Sequence, residues 1–137
     1  VHRLHLDDMV LIKDNHLTIV GDSTQAIRKA KANVSFSKKI EIEVTNADDV
    51  IEAAETKADI IMLDNFQPHQ IKKALETLEK KKLRTHVLIE ASGGIKEEDI
   101  LEFAATGVDI LSMGELTQSA KALDLSLEIT KVKERIA

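Results

Sequence analysis

Short aliphatic runs alternate with segments of helical periodicity along this chain, and that rhythm limits its possible folds more than any other feature. Runs rich in β-branched or aliphatic residues stand at 9–13, 40–44, 60–63, 87–91 and 110–113. Apolar spacing of helical period follows the first four, over 23–33, 47–56, 68–81 and 96–106. Two of these helices carry start signals: Asn46 precedes Ala47 with Asp48 and Asp49 in the first turn, and Pro68 takes the first position of its helix. Strands and helices alternating at this spacing predict an α/β fold with a parallel sheet, wound open or rolled into a barrel.

The strand faces favour the barrel. A doubly wound strand packs helices on both faces, whereas a barrel strand turns one face to an interior that becomes polar near the active end. In Lys39-Ile40-Glu41-Ile42-Glu43-Val44, the aliphatic residues share one face and Glu41 and Glu43 the other. The same parity groups Leu11 with Lys13, then Ile60, Met62 and Asp64, then Leu88, Glu90 and Ser92. Each inward set closes on a polar side chain at the C-terminal end of its strand, where (β/α) barrels build their active sites. One strand-end charge is ordinarily a solvated loop residue, but four in register mark a site. Leu11-Ile12-Lys13-Asp14-Asn15-His16 is the sharpest instance: Lys13 faces the substrate end, Asp14 falls on the opposite parity, and Asn15 and His16 open the next loop as positioning residues. Glu41, deeper than Glu43, suits an interior ion pair.

Two glycine-bearing loops add an anion site. Ser92-Gly93-Gly94 follows the fourth strand and Met113-Gly114-Glu115 the fifth. Glycine there lets backbone N–H groups approach a ligand closely, although glycine at a turn often serves only the turn. Adjacent glycine loops of this kind are how barrels often hold phosphate.

Composition excludes several classes. The 137 residues are 43% hydrophobic and 31% charged with a net charge of -5, which suits one soluble domain and lacks a basic nucleic-acid footprint. No apolar run approaches the roughly eighteen residues of a spanning helix, and Val1-His2-Arg3 shows no signal-peptide pattern, so no membrane association and a cytoplasmic location are expected. There is no cysteine, and the five histidines form no HxxxH or HxH pair, which argues against zinc.

His2-Arg3, Asp8, the LIKDNH run, Ile40-Glu41-Ile42-Glu43-Val44, Met62-Leu63-Asp64-Asn65, Glu90-Ala91-Ser92-Gly93-Gly94-Ile95, Thr106-Gly107-Val108-Asp109, Gly114-Glu115-Leu116-Thr117 and Ala122-Leu123-Asp124-Leu125-Ser126-Leu127 occur in that order. Together they resemble the C-terminal part of the quinolinate phosphoribosyltransferases, the carboxylating nicotinate-nucleotide pyrophosphorylases. The resemblance implies transfer of a phosphoribosyl group from phosphoribosyl pyrophosphate to the ring nitrogen of quinolinate, with loss of pyrophosphate and CO2 and with Mg2+ as cofactor. It implies that His2, Arg3 and Lys13 hold the two carboxylates of quinolinate. Glu43 and Asp64 would face the ribose hydroxyls and the magnesium-pyrophosphate end, with Mg2+ held directly or through water. Ser92, Gly93, Gly94, Met113, Gly114 and Glu115 would wrap the 5'-phosphate. Catalytic weight would fall on Lys13, Glu43 and Asp64, and the full-length protein would be a homodimer or larger. Thr117-Gln118-Ser119 departs from the family's usual histidine after the threonine.

A closed eight-stranded barrel takes about 250 residues, so five strand runs predict an incomplete TIM-like barrel over 1–122. Leu123-Asp124-Leu125-Ser126-Leu127-Glu128-Ile129-Thr130 alternates apolar and polar, which predicts a strand in 123–137 pairing with an N-terminal α+β domain that the chain does not contain. A terminal helix over 123–136 is the competing expectation. The inward set holds Arg3 and Lys13 against Glu41, Glu43, Asp64 and Glu90, a net of -2 facing polyanionic substrates. The family resemblance implies that Mg2+, residues before His2 and a second subunit make up the difference, so the isolated piece is expected to be inactive. Alternative readings are a related phosphoribosyltransferase with another acceptor, such as nicotinate, and a non-catalytic barrel fragment.

Overall fold

A computed structural model of the chain describes residue 3 and residues 5–115. The expected strand or helix over 123–137, His2 and the Thr117-Gln118-Ser119 departure lie outside the described residues. Five parallel strands form one sheet: β1 (Met9–Ile12), β2 (Lys39–Val44), β3 (Ile60–Asp64), β4 (Leu88–Ser92) and β5 (Ile110–Leu111). Their order in space is their order in sequence. A doubly wound sheet reverses its strand order at a switch point, whereas a steady progression is the winding of a barrel wall. The described residues therefore form a barrel sector, as the strand parity predicts.

Right-handed crossovers that all step in one direction place every helix on the same side of the sheet. The helices are α1 (Asp14–Val20), α2 (Ser23–Asn33), α3 (Ala47–Glu55), α4 (Pro68–Lys80) and α5 (Ile100–Ala104). The outward strand residues Ile12, Ile40, Ile42, Val44, Ile61, Leu63, Ile89 and Ala91 are buried in one cluster with Ile27 of α2, Val50 and Ala53 of α3, and Ile71, Leu75 and Leu78 of α4. The start signals work as read. The Asn46 side chain accepts from the N–H groups of Asp48 and Asp49, and Pro68 opens α4.

The main departures from expectation are at α1, β5 and α5; of the helix expected over 96–106, only Ile100–Ala104 is α-helical, after a 3-10 turn over Glu97–Asp99. Asn15 and His16 lie within α1 rather than in a loop. Lys13 is extended and caps the helix, the His16 imidazole Nδ1 accepts the Lys13 N–H at 2.9 Å, and the Asp14 carboxylate suits the positive helix end. Seven residues are too few for a helical period to show. β5 is also shorter than the 110–113 run, although Ser112 N–H still donates to the Ala91 carbonyl.

At the N-terminal rim, two similar tetrapeptides perform one task. Lys57-Ala58-Asp59-Ile60 and Gly107-Val108-Asp109-Ile110 each begin with a positive φ, 64° and 93°, that ends the preceding helical segment. Each aspartate then accepts a backbone N–H from the neighbouring strand: Asp59 from Ile40 at 2.9 Å and Asp109 from Ile89 at 2.7 Å. Arg84 completes the second with a 2.9 Å bond to Asp109. Asp109→Ala is expected to lower unfolding free energy by about 1–2 kcal/mol in denaturant titration. Burial alone would raise the Asp109 carboxyl, but the Arg84 and Ile89 hydrogen bonds outweigh it and hold the group below its ordinary 3.8. Its contribution is thus complete above pH 3.8 and is lost as pH falls through the depressed folded value. The difference between wild type and variant should shrink in the same window.

Candidate active site

The inward face carries the polar residues in tiers. Register pairs Leu11 with Glu41 and Glu41 with Ile60. Glu43, Met62, Glu90 and Ile110 form the next tier, and Asp64 and Ser92 the last. Glu41 and Glu90 are fully buried, while Glu43 and Asp64 approach the rim half-buried.

Lys13, one residue beyond β1, reaches over this rim. Its Nζ lies 2.7 Å from Glu43 Oε2, with the lysine side chain 49% exposed and the glutamate 13%. The hydrogen bond to Glu43 raises the ammonium above its ordinary 10.5; burial opposes this, and the charges of Glu43, Asp14 and Asp64 reinforce it. Lys13 therefore stays cationic throughout the physiological range. The bond from Lys13 N–H to His16 fixes the backbone from which that side chain extends, from inside a helix.

A second cluster joins the ends of β3 and β4. Asn65 adopts a left-handed backbone (φ 58°), donates its N–H to the Ser92 carbonyl at 2.9 Å and points its carboxamide Nδ2 to Asp64 Oδ2 at 2.8 Å. Gly93 and Gly94 follow with φ of 89° and 65°. A Cβ on Gly93 would stand 2.5 Å from Asn65 Oδ1 and 2.7 Å from its backbone nitrogen, so glycine is what permits this approach. The motif quoted from the sequence contained Asn65, yet reading strand-end charge alone passed over it. Its signal is a residue tolerant of the left-handed region directly after a strand.

The loop after β5 meets the loop after β4. Glu115 Oε2 accepts the Glu97 N–H at 3.2 Å, at the start of the helical turn Glu97–Asp99. The side chain of Glu115 thus braces the loops, and its negative charge is unsuited to touching phosphate. Met113 packs partly buried against the core, which leaves backbone donors as the means of meeting an anion here.

Arg3 is not gathered into this site. It lines a groove at the N-terminal rim with Leu6, Met9, Leu11, Val34 and Lys38, because the chain enters β1 from that end. Among the described residues no three His, Cys, Asp or Glu side chains form a ready metal cage, and no helix is long and apolar enough to cross a membrane.

The family model described as quinolinate phosphoribosyl transferase, C-terminal domain, matches residues 1–128. The chain is 55% identical over 132 residues to a probable carboxylating nicotinate-nucleotide pyrophosphorylase of Methanocaldococcus jannaschii, covering 95% of this chain and 46% of that protein. A protein of the same description from Methanothermobacter thermautotrophicus is 52% identical over 132 residues, covering 96% of this chain and 47% of its own length. A solved nicotinate-nucleotide pyrophosphorylase from Francisella tularensis superimposes with a TM-score of 0.80 at 43% identity, over 91% of this chain and 42% of that one. The chain thus spans about half the length of the curated relatives it matches.

Proposed function

Since the chain belongs to the quinolinate phosphoribosyltransferase family and matches its C-terminal domain, we propose that the protein carrying it makes nicotinate mononucleotide from quinolinate and phosphoribosyl pyrophosphate. The ring nitrogen bonds to C1 of the ribose as the C1–O bond to pyrophosphate breaks and its electron pair leaves with pyrophosphate. Loss of CO2 from the adjacent ring carbon leaves an electron pair that takes up a proton.

One observation carries the reading: the Lys13–Glu43 pair, with Asp64 beside it, stands at the strand ends next to the Ser92-Gly93-Gly94 turn. Lys13 is the cation suited to a substrate carboxylate. Glu43 and Asp64 are carboxylates suited to a ribosyl centre that gains positive charge, and backbone N–H groups after β4 and β5 are suited to the 5'-phosphate. Mg2+ commonly binds one or two carboxylates together with substrate phosphates, and Asp64 and Glu43 fit that donor set. Bound there, it would neutralise pyrophosphate charge. Arg3 would add a cation for the dicarboxylate only if substrate or further chain draws it to the C-terminal rim, and His2 would be the other contact that the family resemblance implies.

The same proposal includes a barrel domain over 1–122, a segment 123–137 serving an N-terminal domain, a homodimer or larger assembly and a cytoplasmic location. Full-length protein given quinolinate, phosphoribosyl pyrophosphate and Mg2+ should release CO2 and nicotinate mononucleotide in equal amounts. Transfer to nicotinate without CO2 would point to another acceptor, and absence of any turnover would sink the reading.

A further inference from the structure

We infer that Asn65 is a positioning residue: it orients the Asp64 carboxylate and ties that carboxylate to the Ser92-Gly93 turn. The inference rests on the proposed reaction for its kinetic consequence, but its geometry stands independently. Asn65 makes two bonds in two directions. Its Nδ2 donates to Asp64 Oδ2 at 2.8 Å, and its backbone N–H donates to the Ser92 carbonyl at 2.9 Å.

Both bonds depend on the left-handed backbone, φ 58°, in which asparagine is among the few tolerated side chains. The neighbouring position is built around it, since Gly93 leaves no room for a Cβ beside the carboxamide. An amide occupying this place has a consequence that other residues tolerant of this backbone lack. It offers a donor to one oxygen of Asp64 and leaves the other oxygen for substrate or metal. Aspartate at 65 would put a second carboxylate against Asp64 and add charge where pyrophosphate must enter. Glycine would accept the backbone but leave Asp64 free to rotate. Asn65 thereby sets the distance between the two ends of the phosphoribosyl donor: pyrophosphate at Asp64 and 5'-phosphate beyond Gly93.

The test uses the full-length protein with Asn65→Gly and Asn65→Asp. Loss of a residue that orients a functional carboxylate typically costs about 10- to 100-fold in activity or metal affinity. We expect kcat to fall by that factor in both variants, the Mg2+ concentration for half-maximal rate to rise, and KM for quinolinate to change less than threefold. Asn65→Asp should be the poorer of the two in KM for phosphoribosyl pyrophosphate. A purely structural role would instead lower the melting temperature and leave these kinetic ratios unmoved. Wild-type turnover with unchanged kcat in both variants would overturn the inference while leaving the reaction intact. If wild type shows no turnover, the proposed reaction falls and the crystal structure of Asn65→Gly decides the inference. A displaced Asp64 carboxylate supports it, and an unmoved one overturns it.

Discussion

If the proposed reaction holds, Lys13→Ala in the full-length protein should lower kcat/KM for quinolinate by about 10²–10³-fold, the range seen when one preorganised charge-stabilising group is removed. The free site explains why the partner matters equally. Lys13 is already held by Glu43 at 2.7 Å, so in the proposed reaction a substrate carboxylate would share or displace that contact. Glu43→Gln leaves a neutral side chain of the same shape and releases the ammonium. Under the proposed reaction, KM for quinolinate should therefore stay level or fall, while kcat falls because the ribosyl centre would lose a stabilising carboxylate. Opposite movements in the two variants, read from steady-state kinetics of the full-length protein, would separate the two roles. Equal loss of kcat and unchanged KM in both would show instead that the pair acts only as one structural unit. The alkaline limb of the pH profile should not belong to Lys13, whose pKa lies above 10.5. Its charge is lost only as pH rises through that raised value.

The sequence made the strands legible because the outward faces are runs of isoleucine, valine, leucine or alanine whose parity also dictates which polar residues point inward. Glu43, Asp64 and Ser92 followed from that parity, and register places them as read. α1 was not legible, since seven residues give no period and its start depends on a bond from Lys13 N–H to a histidine ring. The paired rim aspartates were hidden for a different reason. Asp59 and Asp109 stand one residue before β3 and β5, where strand parity assigns no role, and only the neighbouring strand reveals their N–H partners. Arg3 shows the limit of reading order as position. It stands six residues before β1 in the chain, yet the structure sets it at the rim opposite Lys13.

Gly93→Ala should be the most damaging substitution of a single methyl group in the site, and Gly94→Ala is its natural control. Both positions have positive φ, so alanine at either carries the left-handed penalty of roughly 1–2 kcal/mol. They differ in the space available. At Gly94 the nearest atom to a new Cβ is Asn65 Oδ1 at 3.9 Å, an ordinary contact. At Gly93 the new Cβ meets the carboxamide at 2.5 Å and the Asn65 backbone nitrogen at 2.7 Å. A side chain could rotate away, but a backbone nitrogen bonded to the Ser92 carbonyl cannot move without breaking the last hydrogen bond at the joined ends of β3 and β4. Overpacking of this kind adds about 1–3 kcal/mol to the backbone strain. Denaturant titration should thus place Gly93→Ala below Gly94→Ala in stability by that increment. Because relief requires Asn65 to shift, Asp64 loses its donor as well. Activity in Gly93→Ala should fall further than stability alone explains, whereas in Gly94→Ala it should fall no further than the altered phosphate turn requires.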